Sequence, residues 1–473
     1  MFKIKKSLFF IMFIFLLVIA GCSSSSSNNN KKTDQLNENV TASLDSFLSL
    51  DAHEYTLDNG LKVLLIPNKK LPIFSYYTFF DVGAKYEKDG MTGSTHFLEH
   101  LMFHGSKNFP RGVFDSAIES HGGHTNAFTS QELTVYYNSL PSDFIDELIE
   151  MEADRMQQLS FEKDGFEKER QVVIEEKRVN YDNDPQGKLH LALTETMFKG
   201  TPYEISTIGK QVDIESVSLE QIKNYYHTFY APNNALLVIV GDINPEETFA
   251  MIKKQFGPLK AAPNLEKAKE FKKDFEVNNA KRKSWVKING SAPTPIFRLA
   301  YPGYKLGERE AYVADILSQI LGGGESSYLV QKYVNTRWPR LSYIYSVNLN
   351  YQKTGMFYIG GELLRKVNLP RMRRNLRRDL KRACSSKIIN GRSVQKAKNQ
   401  FWVEFFRNLQ TNSGLARFVG MHEMLMGDYK NYEKEIDIYK SIEAQEVMKL
   451  CKNLFYNQKP SFLSLWQRHA KNR

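Results

Sequence analysis

The stretch His96-Phe97-Leu98-Glu99-His100, read together with the later Glu176, decides how this chain is organised. On an α-helix, positions four apart share a face, so His96 and His100 converge on one point. Two imidazoles at that spacing suit a borderline-soft divalent ion such as zinc. Glu99 is adjacent to His100 and three residues after His96, so its carboxylate can hang beside such an ion without ligating it. That placement suits a general base. The order H-x-x-E-H reverses H-E-x-x-H and occurs among zinc hydrolases. A five-residue pattern alone is only suggestive and needs a second signal.

The second signal is the carboxylate-rich helix Glu167-Lys168-Glu169-Arg170-Gln171-Val172-Val173-Ile174-Glu175-Glu176-Lys177-Arg178. A catalytic zinc site takes three protein ligands and keeps one open position, so a third donor is required. Glu175 and Glu176 are neighbours that point about 100° apart on a helix, and spacing does not choose between them. His104 extends the His96/His100 stripe by four residues and is a further candidate.

These residues resemble the pitrilysin/insulinase (M16-type, inverzincin) family of zinc peptidases, in its processing-peptidase-like two-domain form. The family places H-x-x-E-H before an E-R-x-V-x-x-x-E helix. The resemblance implies one zinc per chain held by His96, His100 and Glu176, with Glu99 as the base and Glu169 supporting the site. It implies an α+β fold of two similar mixed α/β halves facing each other across a central cavity. In the family, the segment matching Asn126-Ala127-Phe128-Thr129 is an exposed edge strand that pairs with the substrate backbone. Main-chain hydrogen bonds there hold any extended peptide, and pockets select side chains.

At 473 residues the chain is long enough for two or more domains. The formal charge of +11 raises a nucleic-acid reading, but no recognition motif for nucleic acid accompanies it. Part of the excess lies in Arg365–Arg382, where the default reading is a solvated helix face, with anionic lipid or an acidic partner as alternatives. Cys22, Cys384 and Cys451 are too few for a disulfide framework.

Residues 1–22 read as a targeting segment. Lys3, Lys5 and Lys6 precede an apolar run, Leu8–Ala20, that is short for a span. The ending Ile19-Ala20-Gly21-Cys22 resembles a bacterial lipoprotein signal, with Cys22 as the lipidated first residue of the mature chain. That implies export and a membrane tether, and Ser23 after the cysteine points to an outer membrane facing the periplasm. Residues 23–50 read as a flexible polar tether.

A strand, an Asn59-Gly60 turn and a second strand are expected over Tyr55–Pro67, with another strand over Ile73–Val82. Ser94 or Thr95 is placed to cap the motif helix. Pro141–Leu159 reads as an amphipathic helix, and Ala235–Gly241 as a buried strand. The peptidase half is bounded at 51–257, a lysine- and proline-bearing linker at 258–280, and a second half at 281–473.

The second half repeats the organisation weakly. Pro293–Gly303 takes the place of Leu71–Gly83, and the helix Glu308–Leu321 takes that of the motif helix without carrying H-x-x-E-H. Leu321-Gly322-Gly323-Gly324-Glu325-Ser326-Ser327-Tyr328-Leu329 resembles a family signature, with Tyr328 in place of the usual arginine. The family's second half also supplies a tyrosine and an arginine to the substrate. Tyr343 fits the tyrosine, and Arg337 is the nearest candidate for the arginine, offset by about one position. Helices are expected over Lys396–Asn412 and Met421–Asp428, and a closing strand over Gln458–Leu465. Two halves rather than four imply a homodimer, or a heterodimer with a sister chain lacking the zinc motif. The competing reading is a tethered, non-catalytic peptide-binding or scaffold subunit, and the intact metal set argues against it.

Overall fold

The computed structural model describes residues 50–270, 275, 282–288, 290, 292–364 and 367–466. The targeting segment, Cys22, the tether up to residue 49, and Arg365 and Lys366 lie outside the described residues. Among the described residues, no helix is long and apolar enough to cross a membrane.

Eleven described strands form two sheets. The first contains β1 (His53–Thr56), β2 (Lys62–Pro67), β3 (Ile73–Phe80), β4 (His124–Thr129), β5 (Thr134–Pro141) and β6 (Ala235–Gly241), in the order β1-β2-β6-β3-β5-β4. The second contains β7 (Trp285–Ile288), β8 (Ile296–Pro302), β9 (Leu341–Asn350), β10 (Gly355–Leu363) and β11 (Ser461–Leu465), in the order β7-β11-β8-β10-β9. In each sheet one pair is parallel, β2 with β6 and β7 with β11, and the pairs further along are antiparallel. The second sheet therefore repeats the first without β1. The helices match too: Ser94–Leu101 and Val113–Ser120 lie between β3 and β4, and Arg309–Gly322 and Tyr328–Tyr333 between β8 and β9. The fold is α+β, built from two similar halves.

The apolar run of β6 is buried along its whole length, as a central strand covered on both faces must be. β4 occupies the opposite place, the edge of its sheet, and pairs with β5 alone. The expected helix Pro141–Leu159 divides into a 3-10 turn, Ser142–Phe144, and an α-helix, Ile145–Gln157.

Two helices interlock the halves. Pro185–Met197 comes from the first half, yet its Leu189, Leu193 and Met197 share a core with Ile296, Ala300, Leu463 and Leu465 of the second. In return, Asn412–Met426 packs on β3 and β6. Gly420 permits this approach, since a Cβ there would lie 2.1 Å from the Phe79 ring. The Tyr77 and Ser413 hydroxyls meet at 2.6 Å along the same contact.

Sequence reading started this last helix at Met421 and ended its predecessor at Asn412. The helices instead span Gly391–Leu409 and Asn412–Met426. The Thr411 side chain caps the second by accepting from the Gly414 amide. Gly414 and Gly420, poor helix formers, mask its first two turns in the sequence. The stretch assigned to a linker contains a short helix, Leu265–Glu270, whose Leu265 joins the first core. Its Lys269 ammonium lies 2.5 Å from both Asp81 Oδ2 and Asn234 Oδ1. Residues 271–274 and 276–281 are outside the described set.

Along the basic run, Leu369–Ala383 is a helix that buries Leu369, Met372, Leu376 and Leu380. Arg371, Arg374, Arg377, Arg378 and Arg382 face solvent, while the Arg373 guanidinium packs 4.0 Å over the Trp285 ring.

Cys384 and Cys451, both buried, form a disulfide between that helix and Ala444–Lys452, across a sequence separation of 67. One cross-link is not a framework, but it restricts the unfolded chain. Its removal in Cys384→Ser is expected to cost about 4 kcal/mol of unfolding free energy by the loop-entropy relation. Chemical denaturation of the variant beside the parent chain, each with and without reductant, checks this.

Candidate active site

The motif helix Ser94–Leu101 buries Phe97, Leu98, Glu99 and Leu101 and leaves His96 and His100 partly open. Neither Ser94 nor Thr95 caps it. The N-cap is Gly93 at φ 86°, and a Cβ there would lie 2.7 Å from the Ile208 carbonyl oxygen. The free amides go instead to Glu87, which accepts from Gly93 N at 2.7 Å and Thr95 N at 2.8 Å. A carboxylate at a helix N-terminus also complements the helix dipole. Burial pushes the Glu87 pKa up to about 7 against these bonds. The Thr95 hydroxyl pairs with Tyr225 at 2.8 Å.

The carboxylate helix, Lys163–Lys177, packs beside the motif helix, with Phe166 stacked on Phe97 at a centroid distance of 4.9 Å. Arg170 pins it by donating to the carbonyls of Ile214 and Val217. Its end passes directly into a π-helical turn, Arg178–Asp182, so Glu176 stands one residue from the break. Such wide turns recur at functional sites.

Across this helix pair, one ligand atom each from His96, His100 and Glu176 lies within 4.8 Å of the others. Glu176 Oε2 is 3.8 Å from His96 Nε2 and 3.3 Å from His100 Nε2. Glu169 Oε1 meets His100 Nδ1 at 2.9 Å, and Glu169 Oε2 meets His104 Nε2 at 2.7 Å. His104 is thus a partner of Glu169 and stands outside the three-residue group. Glu175 turns away and pairs with Arg178 at 2.5 Å.

Burial holds the His96 pKa down at about 4, with the neighbouring His100 adding to the effect. Burial opposes charge on His100 as well, but hydrogen bonds to Glu169 and Glu176 outweigh it and raise its pKa to about 10. Glu169 shows the reverse balance: burial raises it, and its bonds to His100 and His104 bring it down to about 2. Glu99 is raised to about 7, chiefly by burial. Its Oε2 accepts from the Thr129 hydroxyl at 2.5 Å, which ties the motif helix to the end of β4.

Along β4, Asn126 is exposed, Ala127 buried and Phe128 intermediate, with the Arg417 guanidinium 5.0 Å over the Phe128 ring. Tyr343 stands on β9, where its hydroxyl accepts from Gln186 Nε2 at 2.7 Å. Arg337 is exposed and stacks over Trp338. Neither hydrogen-bonds to His96, Glu99, His100 or Glu176. Sequence reasoning missed Glu87 and Thr129. Thr129 lay within the quoted strand segment, but nothing in its spacing marked it as a partner of Glu99.

Residues 62–211 match the family described as insulinase, peptidase family M16, and residues 216–401 match the peptidase M16 inactive domain. The zinc protease PqqE of Helicobacter pylori is 31% identical over 385 residues, covering 79% of this chain and 84% of that protein. The chain belongs to the M16 peptidase family. The M16 likeness extends to an uncharacterized zinc protease, YmxG of Bacillus subtilis, 25% identical over 411 residues and covering 85% of this chain and 95% of that one. A crystal structure of a protease from Helicobacter pylori superposes with a TM-score of 0.79 at 25% identity, covering 88% of this chain and all (100%) of that one. M16 relatives thus match both halves, and the half without the metal motif matches the domain described as inactive.

Proposed function

We propose that this chain is a zinc-dependent endopeptidase acting on peptides or unfolded polypeptide segments. The observation that carries the proposal is the convergence of His96, His100 and Glu176 with Glu99 alongside. The donor set fits zinc: two imidazoles and one carboxylate, the three protein ligands that a catalytic site takes while keeping a fourth position open. His96 fits it further: desolvation keeps this ring neutral, as a metal ligand must be, and its Nε2 faces Glu176 Oε2 at 3.8 Å.

Zinc bound there would polarise a peptide carbonyl and acidify a water beside it. Glu99, held by Thr129, takes a proton from the attacking water and returns it to the departing amine. Burial raises its carboxyl pKa to about 7 before any cation is present, and a nearby dication would lower it. Glu169 orients His100 through Nδ1, leaving Nε2 directed at Glu176. Asn126, Ala127 and Phe128 on the β4 edge hold the substrate as an added strand. Tyr343 is the second half's proposed contribution to substrate contact.

Glu169→Gln is expected to weaken zinc binding about 10- to 100-fold, since a neutral amide supports the imidazole less well. Competition with a chelating dye measures it.

We also propose export and tethering through Cys22. The buried Cys384–Cys451 disulfide supports an oxidising compartment. A second copy, or a sister chain without the motif, is the proposed partner. The test of the main reading is bound zinc per chain together with cleavage of a quenched peptide, with and without chelator. Stoichiometric zinc with chelator-sensitive cleavage is expected. Zinc without cleavage by the chain or its dimer would favour the non-catalytic reading.

A further inference from the structure

Arg298 is a charged side chain in β8 with only 8% of its surface exposed, and among the described residues no carboxylate lies within ion-pair distance of it. Buried charges are ordinarily paired, so an uncompensated guanidinium is costly unless something else supplies the negative charge. Its contacts are neutral. Nη2 donates to Gln186 Oε1 at 2.7 Å and Nη1 to its neighbour's carbonyl, Phe297 O, at 3.1 Å. The guanidinium also lies 5.3 Å from the Tyr345 ring centroid and 6.0 Å from that of Tyr358. Glu362, opposite Tyr343 in the β9–β10 register, is engaged by the Thr294 hydroxyl.

The surroundings are rich in hydrogen-bond donors without acceptors. Arginine carries five N–H donors, of which two are used here. Tyr343 receives its bond from Gln186, which leaves its own O–H free to donate. The Tyr345 hydroxyl hydrogen-bonds to none of the described residues. Gly360 of β10 sits between Arg298 and Tyr345, and a Cβ there would lie 2.7 Å from the Tyr345 hydroxyl and 3.0 Å from Arg298 Nη1. The missing side chain lets the Tyr345 ring and the Arg298 guanidinium lie directly over the sheet at this point, beside half-exposed Gln186 and Tyr343.

The cluster is linked to the metal-motif residues. Asn180, in the π-turn, lies near Glu176 and favours its ionised form. Gly187 packs on that turn so closely that a Cβ would lie 2.0 Å from Asn180 O. Gln186, beside Gly187, then reaches both Arg298 and Tyr343.

We propose that Arg298, with Tyr343, Tyr345 and Gln186, forms a subsite for a carboxylate of the peptide substrate. The proposal rests on the peptidase reading for the identity of the ligand. A planar carboxylate matches the guanidinium fork and would accept the spare tyrosine protons. It comes either from an acidic side chain or from the peptide's C-terminus.

The test uses the full chain and one labelled peptide in matched forms: free acid against C-terminal amide, and internal glutamate against glutamine. Fluorescence anisotropy reads binding, and cleavage of the same peptides is followed separately. One of the two carboxylates is expected to tighten binding roughly tenfold or more over its neutral counterpart. The arm that shows it identifies the source. Arg298→Gln should bring that ratio to about one, and Gly360→Ala, whose Cβ would push Tyr345 and the guanidinium out of place while keeping the arginine, should reduce it as well. Arg298→Lys, keeping the charge but losing the fork, should fall between. Equal binding of charged and neutral forms, or a ratio unchanged in both Arg298→Gln and Gly360→Ala, would overturn the proposal. Discrimination without cleavage would sustain the subsite and remove the peptidase reading, whereas cleavage without discrimination would do the opposite.

Discussion

Glu99→Gln is expected to bind zinc as the parent chain does and to cleave peptides between about a hundred and ten thousand times more slowly. The amide keeps the size of the side chain and can still meet the Thr129 hydroxyl, so the helix and its two histidines stay in place. It loses the ability to accept a proton and pass it on. Glu99 is buried and raised to about 7 in the metal-free chain, so near neutrality this carboxylate is held against its own desolvation. A nearby dication favours the ionised form and lowers that value, which makes the base available at neutral pH. Activity of the parent chain should therefore fall on the acid side as Glu99 takes up a proton. The variant removes a buried charge, so its metal-free form should unfold at a higher temperature than the parent at pH 8. Metal content by elemental analysis, peptide turnover and a thermal melt measure the three consequences. Undiminished cleavage by purified Glu99→Gln would sink the assignment of the base.

Much of this site could be read from residue order because helical geometry is local. His96, Glu99 and His100 fix one another's directions within two turns, and the choice of Glu176 over Glu175 needed only the family pattern in addition. β6 was legible because an unbroken apolar run can be satisfied only in a central position, and β3 because aromatic residues crowd its sequence. What was not legible depends on contacts between distant segments. Glu87, the residue after a 3-10 turn at Ala84–Tyr86, caps the motif helix where sequence favours Ser94 or Thr95, with Gly93 in a left-handed conformation at the helix start. The apolar stripe Leu189–Leu193–Met197 announces a buried helix face but does not say which sheet covers it, and the sheet proves to be that of the other half. Arg298 looked like one more residue in an apolar strand, and its neighbours come from β9, β10 and a helix of the first half. The Cys384–Cys451 pair, 67 residues apart, gave no local sign of proximity.

The same geometry makes zinc binding a proton-releasing reaction, with a pH dependence that separates this site from an ordinary pair of histidines. In the metal-free chain, hydrogen bonds to Glu169 and Glu176 outweigh burial and keep His100 protonated up to about pH 10. The stability from that charge is fully present below the ordinary value of 6.5 and is lost as pH rises through about 10. A metal ligand must be neutral, so zinc has to displace that proton. His96, held near 4 by burial, is already neutral above that pH and contributes none. Glu99 would add a second release around neutrality, and Glu99→Gln removes it. In that variant the apparent zinc affinity is expected to rise about tenfold per pH unit from pH 6 to 8, with close to one proton released per zinc. Calorimetry in buffers of different ionisation enthalpy counts the proton directly. An imidazole of ordinary pKa would give a curve that flattens above 6.5, so a flat affinity between pH 7 and 8 would contradict the His100–Glu169–Glu176 arrangement. His96→Ala should abolish stoichiometric zinc binding and cleavage together, because only His100 and Glu176 remain as donors. His104→Ala should keep the metal, because His104 reaches only Glu169. Loss of zinc in His104→Ala alongside retention in His96→Ala would move the third ligand to the other side of Glu169.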